Sequence, residues 1–212
     1  MAFEAAYFEA NYRDYEAQNP PRKLAFYVDL VTRFAPPELP RRLHDVGCAF
    51  GRFLAALPAD WQVYGSDVSA YAVDRARQAV PRGQFQVTDG GVAAWPEPMA
   101  VVTAFDVLEH LPDPDAVAQR LKAQLLPGGR LVFVVPVYDG LSGPLIRALD
   151  HDPTHLQRWP RRGWLEWAGR HFQILEWCGV LRYLLPGRRY LHLVTRAGRW
   201  HTPAIAVVCR RP

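Results

Sequence analysis

Long apolar runs are missing from this chain. No stretch approaches the roughly eighteen consecutive apolar residues of a membrane-spanning helix, so no membrane span is expected. The opening residues, MAFEAAYFEANYRDYE, carry acids where a secretory leader needs basic residues and an apolar core, which makes a cytoplasmic location the expectation. Cysteine is scarce. Cys48, Cys178 and Cys209 are scattered and odd in number, which argues against a disulfide framework and a zinc cluster; each reads as a small, buried, reduced side chain. No internal repeat, low-complexity tract or linker divides residues 1–212, so a single domain is expected.

Lysine is nearly absent too: only Lys23 and Lys122 occur, and arginine carries the rest of the positive charge. The net charge of +4 is unevenly placed. Residues 1–140 hold 13 basic and 17 acidic residues, whereas residues 141–212 hold 12 arginines and 4 acids. A basic C-terminal third fits an anionic substrate, a membrane surface or RNA, or simple solubility. No interleaving of basic and aromatic residues forms a recognised RNA motif, so nucleic acid is not expected as a partner. Half the residues are hydrophobic, which excludes a disordered chain and leaves enough to build a substantial core.

Apolar runs alternate with helical patterns from residue 42 onward. Strands are expected near 42–46, 62–66, 84–88, 100–105 and 129–135, with helices near 51–57, 69–79 and 114–124. Such alternation predicts an α/β fold, a parallel sheet with helices on both faces. Before it, Pro20 and Pro21 divide an aromatic segment into two short helices, and APPELP at 35–40 ends the second. After Pro136 the pattern becomes a long Gly, Pro and Asp-rich loop with a short helix near 144–149. A helix follows near 163–170, then strands at 172–177 and 204–210 joined by a long turn or arm. The pattern thus falls into a helical segment over 1–40, the alternating region 41–136 and a different pattern over 137–212.

The most informative stretch is LHDVGCAFGRFL, 43–54, followed by GSDVSAYAVDRA, 65–76. An apolar strand ends in Asp45, and Gly47 and Gly51 bracket a tight turn before a helix. Asp67 lies 22 positions later, at the end of a second apolar run. Glycines let a backbone approach a ligand without a Cβ clash. A helix start offers free N–H groups, and a carboxylate after the next strand takes ribose hydroxyls. The turn is not G-x-G-x-x-G, which excludes a dinucleotide fingerprint.

This pattern resembles the class I S-adenosylmethionine-dependent methyltransferases, whose first motif is an acidic residue followed by G-x-G-x-G. The likeness is to their small-molecule branch, which includes the ubiquinone-biosynthesis enzymes. Ala49 departs from it, standing where the middle glycine is usual, and a slightly tighter fit is expected. Thr88-Asp89-Gly90, AFDVLEHLPDP at 104–114 and LLPGGRLVFVVP at 125–136 match later motifs of the family in order and spacing. The resemblance implies a Rossmann-like α/β fold, a seven-stranded, mostly parallel sheet with helices on both faces and an antiparallel last strand. In it 1–40 is a helical cap, 41–136 the cofactor-binding half and 137–212 the substrate-side half. The resemblance also implies S-adenosylmethionine as cofactor and S-adenosylhomocysteine as product. It implies that Gly47, Cys48 and Gly51 meet the methionyl part, Asp45 orients its amino group, and Asp67 holds the ribose hydroxyls. It places Val68 on the adenine face, Asp89 and Gly90 at the adenine edge, and Phe105 beside the sulfonium. Tyr12 and Tyr15, with Tyr7, would close over the cofactor as a lid; the same stripe also reads as amphipathic helices on the sheet edge.

Asp106, Glu109 and His110 form the chemically interesting group. A histidine near neutral pKa suits deprotonation of an alcohol or phenol. In similar O-methyltransferases an acid-x-x-Glu-His triad can bind a divalent metal. Many relatives share VLEH without one, using the pair to hold a loop. Support, general base and metal site all stay open, with Glu109 and His110 as catalytic candidates and no metal expected, because Leu111-Pro112 follow at once. In LDHDPTHLQRWP, 149–160, Pro153 breaks the helix that would present His151 and His155 as a metal pair, leaving His155 as a catalytic candidate lining the pocket. His44, His171, His192 and His201 read as structural or exposed. The expected activity is methyl transfer to oxygen or nitrogen of a small molecule by a monomer or homodimer. The alternatives are an RNA or protein methyltransferase, disfavoured because no N-P-P-Y-like tetrapeptide follows strand four, and a non-catalytic binding module for S-adenosylmethionine or S-adenosylhomocysteine.

Overall fold

The computed structural model describes residues 18–89, 92–140, 143–149, 152–185 and 189–212. In chain order they form α1 (Pro21–Phe34), β1 (Arg42–Val46), α2 (Arg52–Ala56), β2 (Gln62–Asp67), α3 (Ala70–Ala79), β3 (Gln84–Val87), β4 (Met99–Phe105), α4 (Pro114–Gln124), β5 (Leu125–Pro136), α5 (Gly143–Leu149), α6 (Arg161–His171), β6 (Gln173–Leu185), β7 (Arg189–Thr195) and β8 (Ala204–Arg210). A 3-10 turn, Leu108–His110, follows β4. No described helix is long and apolar enough to cross a membrane.

The strands form one sheet in the order β3-β2-β1-β4-β5-β8-β6-β7. The pairs β3–β2, β2–β1, β1–β4 and β4–β5 are parallel; β5–β8, β8–β6 and β6–β7 are antiparallel. Side chains alternate between two cores, as a period of two demands of a sheet covered on both faces. Along β5 and β8, Val132, Val134, Ala206 and Val208 join the core under α1, α2 and α3, whereas Leu131, Phe133, Val207 and Cys209 join the core under α4 and α6. Trp164 and Trp167 of α6 are fully buried in the second core.

Local signals set the helix starts. Ser69 accepts from the Ala72 N–H at 3.2 Å to cap α3. Asp113 accepts from the Ala116 N–H at 3.0 Å to cap α4, with Pro114 in its first turn. Pro21 starts α1 in the same way.

The described residues hold eight strands, one more than the seven expected. The extra strand comes from the segment read as a turn or arm. β6 continues past Trp177 to Leu185, and β7 folds back on it in the register Gly179↔Thr195 to Leu185↔Arg189. The signal was in the sequence: Pro186-Gly187 is a turn dipeptide flanked by runs rich in Val, Leu and Tyr. The first of the two expected short helices, the one before Pro20, falls on residues 1–17, outside the described residues.

Ala49 has φ +45°, in the left-handed region where glycine is at ease. The departure from the glycine pattern therefore falls on the backbone, rather than only tightening the fit. An L-residue there costs about 1–2 kcal/mol, and glycine's larger unfolded-state entropy offsets about 0.5–1 kcal/mol of what would be recovered. Ala49→Gly should thus raise the melting temperature by about 1–4 °C. A lower melting temperature in a thermal scan would refute the strain at this position.

Candidate active site

The strand order reverses between β1 and β4, and their C-terminal ends open the crevice where α/β sheets bind ligands. A cavity of about 360 Å³ lies there. Its wall combines Lys23, Leu24 and Tyr27 of α1 with Asp45, Gly47, Cys48, Ala49, Arg52 and Phe53 around the β1–α2 turn. It is completed by Phe105, Asp106 and His110 beyond β4 and by Asp152 and His155 beyond α5.

The turn is held from below. The Gly47 and Cys48 N–H groups both donate to the Ser66 carbonyl, at 2.8 and 3.0 Å. Gly47 has φ +71°, and a Cβ there would stand 2.3 Å from Val107 Cγ2. Gly51 also takes a left-handed φ of +73°, packed against Ala76 and Val80. Asp67 accepts from the Ala49 N–H at 2.9 Å through Oδ2 and from the Ser69 N–H at 3.0 Å through Oδ1. It therefore braces the turn and caps α3's approach, with the Val68 N–H as a third backbone donor to the same carboxylate. Burial raises its pKa against these bonds.

Asp45 pairs in register with Thr103 on β4, whose hydroxyl donates to Asp45 Oδ1 at 2.6 Å. Burial pushes the Asp45 carboxyl up to about 7; the Thr103 bond opposes this and the nearby Asp67 charge adds to it. Burial likewise drives the Cys48 thiol well above its ordinary range, so it is an inert lining group. Phe105 stacks on Tyr27 with centroids 4.0 Å apart, and Phe53 meets it edge-on at 5.0 Å. Val68, 36% exposed, leaves apolar surface on the rim beside Tyr71. Asp89 is exposed just past β3. Gly51, Asp67, Val68 and Asp89 do not line the cavity. Gly90, Tyr7, Tyr12 and Tyr15 lie outside the described residues.

The acid-x-x-Glu-His group divides in two. Asp106, with φ +58°, forms an ion pair with Arg182 of β6 at 2.5 Å. Burial alone would raise its pKa, but the Arg182 charge and hydrogen bond hold it below the usual carboxylate range. Glu109 and His110 are joined instead by His155. One ligand atom from each of the three lies within 4.8 Å of the others. Glu109 is 1% exposed, and burial first, then the Asp106 charge, drives its pKa well up. Burial and the His155 charge lower the pKa of His110, which keeps its ring neutral. His110 Nδ1 lies 2.9 Å from the Thr154 hydroxyl and 3.1 Å from the Thr154 carbonyl, and His155 Nδ1 lies 3.0 Å from the Tyr138 hydroxyl. His44 is structural, as read from the sequence: buried between Gln124 at 2.5 Å and Ser66 at 2.8 Å, with a pKa lowered to about 4 by burial.

Sequence reasoning missed Lys23 and Arg182. Lys23 is 8% exposed and donates to the Gln18 carbonyl at 3.3 Å, and its ammonium lies over the rings of Tyr27 and Tyr190. Burial lowers its pKa to about 8, with Asp106 opposing. No carboxylate among the described residues lies within ion-pair distance of it. A signal was available: Lys23, Tyr27, Leu30 and Val31 form the buried face of α1, so one of two lysines sits in an apolar stripe. Arg182 was hidden because the strand was expected to end at residue 177, whereas β6 runs on to Leu185.

Comparison with known proteins agrees with this geometry. A methyltransferase-domain family model matches residues 15–176. A trans-aconitate 2-methyltransferase of Methylobacterium radiotolerans is 35% identical over 127 residues, covering 58% of this chain and 47% of that protein. A ubiquinone biosynthesis O-methyltransferase of Actinobacillus pleuropneumoniae is 30% identical over 117 residues, covering 50% of each. The chain spans about half the length of the curated relatives it matches. The magnesium protoporphyrin IX methyltransferase of Synechocystis, solved with S-adenosylhomocysteine bound, superposes with a TM-score of 0.70 at 18% identity over 100% of this chain and 97% of that one, a likeness of fold. With the acidic turn at the β1–β4 crevice and a family match over three quarters of its length, the chain belongs to the methyltransferase-domain family, and so to the class I S-adenosylmethionine-dependent methyltransferases.

Proposed function

We propose that this protein transfers a methyl group from S-adenosylmethionine to an oxygen or nitrogen of a small, anionic molecule, as a cytoplasmic enzyme built on one domain. The observation that carries the reading is the single cavity wall shared by the glycine turn and by Lys23, Asp106, His110 and His155. At about 360 Å³ it has room for the methionyl end of a cofactor and a small acceptor, which favours a small molecule over a macromolecular side chain. The buried Lys23 ammonium favours an acceptor bearing a carboxylate. The name of the Methylobacterium relative, a trans-aconitate methyltransferase, points the same way.

When bound, S-adenosylmethionine supplies an electrophilic methyl group on a sulfonium. In this reading the chain positions and deprotonates. Gly47 and Ala49 let the backbone approach the methionyl part, ionised Asp45 meets its ammonium, and the Asp67 carboxylate takes the ribose hydroxyls. Phe105, packed between Tyr27 and Phe53, closes the methyl-facing wall to water. His110 and His155 stand where a proton leaves the acceptor, and alignment with proton removal is the main work such a displacement asks of a protein.

The arginines of the basic C-terminal third do not favour RNA as the acceptor, because several are already engaged, Arg161 and Arg182 inward and Arg162 and Arg196 in exposed ion pairs. Arg161 donates to the carbonyls of Trp200 and Thr202, Arg182 pairs with Asp106, Arg196 with Glu176 and Arg162 with Glu166.

Three measurements check this reading. Asp67→Asn removes a charged acceptor worth about 1.5–3 kcal/mol, so calorimetry should show S-adenosylmethionine binding weakened roughly 10- to 150-fold; unchanged affinity would remove the ribose assignment. Asp45 must be ionised to hold an ammonium, and its pKa is near 7. Affinity should therefore climb as pH rises through 7 and fall roughly tenfold per unit below it, and Asp45→Asn should flatten the profile. An equally steep profile in the variant would assign the titration elsewhere. Labelled S-adenosylmethionine should methylate small carboxylic acids from a panel, with Lys23→Gln raising acceptor KM at least roughly tenfold, the scale of a lost charged hydrogen bond, while cofactor affinity holds. Loss of cofactor affinity instead would place Lys23 on the methionyl carboxylate, and binding without any turnover would favour a non-catalytic module.

A further inference from the structure

Glu109 presents a chemical problem that methyl transfer does not resolve. It is 1% exposed, and its Oε2 is buried without a hydrogen-bond partner among the described residues. An isolated buried carboxyl oxygen is unfavourable unless something in the native environment supplies a donor or a positive charge. The two neighbours that share its cluster, His110 and His155, are both metal-ligand types.

We propose that Glu109, His110 and His155 bind one divalent transition-metal ion, of the zinc, manganese or ferrous-iron class, at the floor of the cavity. Two imidazole nitrogens and one carboxylate oxygen form a borderline donor set that suits these ions, whereas calcium and magnesium prefer oxygen throughout. The set differs from the spacing seen in the sequence. Asp106 is taken by Arg182 at 2.5 Å, and His155, from a segment 45 positions beyond His110, takes its place.

The supporting shell is already built. The Leu156 and Gln157 N–H groups both donate to the Glu109 carbonyl, at 2.9 and 2.8 Å, and Gln157 Nε2 donates to the Leu111 carbonyl at 3.0 Å. These bonds lock the turn that carries Glu109 and His110 to the segment that carries His155. The Thr154 carbonyl, 3.1 Å from His110 Nδ1, can only accept, so the proton sits on Nδ1 and the lone pair on Nε2. Such a second-shell carbonyl is the usual way a metal-binding imidazole is oriented. The ligand atoms lie within 4.8 Å of one another. Ligands held about 2.1 Å from one ion stand roughly 3–3.5 Å apart, so rotations of the side chains by an ångström or so close the site. His110 and His155 also line the cavity, with Asp152 beside them, so an ion there keeps open positions facing the ligand space, as catalytic rather than purely structural sites do. The site stands on this geometry alone; its use, holding and acidifying an acceptor oxygen in place of direct proton removal by His110 and His155, rests on the methyl-transfer reading.

The test is to strip the full-length protein with chelator and titrate it with Co²⁺, followed by visible absorbance, and with Zn²⁺ by calorimetry, without cofactor or acceptor. Binding of one equivalent is expected. Glu109→Gln, which keeps the side-chain shape, and His155→Gln, on a partly exposed segment, should each weaken it at least roughly tenfold, the loss that even an outer-shell change brings, while thermal melting confirms both are folded. No saturable binding by the unaltered protein, or equal affinity in both variants, would overturn the site. Because the titration requires neither S-adenosylmethionine nor an acceptor, its failure leaves the methyl-transfer reading standing, and failure of methyl transfer leaves a measured metal site standing.

Discussion

The constraint on which the rest of the structure depends is the parallel pairing of β1 with β4, strands separated in sequence by β2 and β3. Placing β4 on the far side of β1 reverses the strand order, so the segments leaving the two strands diverge and a crevice opens between them. The register of that pairing also makes the chemistry. Asp45 opposite Thr103 gives a carboxyl held by a hydroxyl at 2.6 Å in a buried site, and two residues further the chain exits into the glycine turn on one side and Phe105 on the other. A slip of one residue would turn Asp45 into one of the two apolar cores.

Around this crevice the site is assembled from segments that are remote in sequence. Lys23 comes from the helix before the sheet, Arg182 from the hairpin near the end, and His155 from the loop after α5. Each answers a charge or polar group at the exit of β4. Arg182 neutralises Asp106, which sits in a left-handed backbone conformation. His155 completes the group begun by Glu109 and His110. Lys23 faces the same space with no carboxylate of its own among the described residues. The exit of β4 is thus the point where the cofactor side of the sheet and the variable side meet.

The cofactor side was legible in the sequence and much of the acceptor side was not, for a physical reason. Backbone requirements leave local marks. Gly47 and Gly51 stand at left-handed positions, Asp67 follows a strand, and Ser69 and Asp113 precede helices, so strand and helix positions from 42 to 136 were readable to within a few residues. Long-range ion pairs leave no such mark. The Asp106–Arg182 pair spans 76 positions, and nothing near Asp106 announces its partner. The eighth strand was overlooked although Pro186-Gly187 is a turn dipeptide, because the whole of 184–201 was read as one long turn. Lys23 was overlooked because a single cation in an apolar stripe looks like a long side chain reaching for water.

The central claim is that one cavity serves both the cofactor and a small acceptor. A crystal structure with S-adenosylhomocysteine tests it most directly. The account predicts the homocysteine part along Gly47 to Ala49, the ribose on Asp67, the adenine on Val68, and the sulfur facing the space between Phe105 and His110. The product bound elsewhere, or a sulfur turned away from Lys23, His110 and His155, would contradict it.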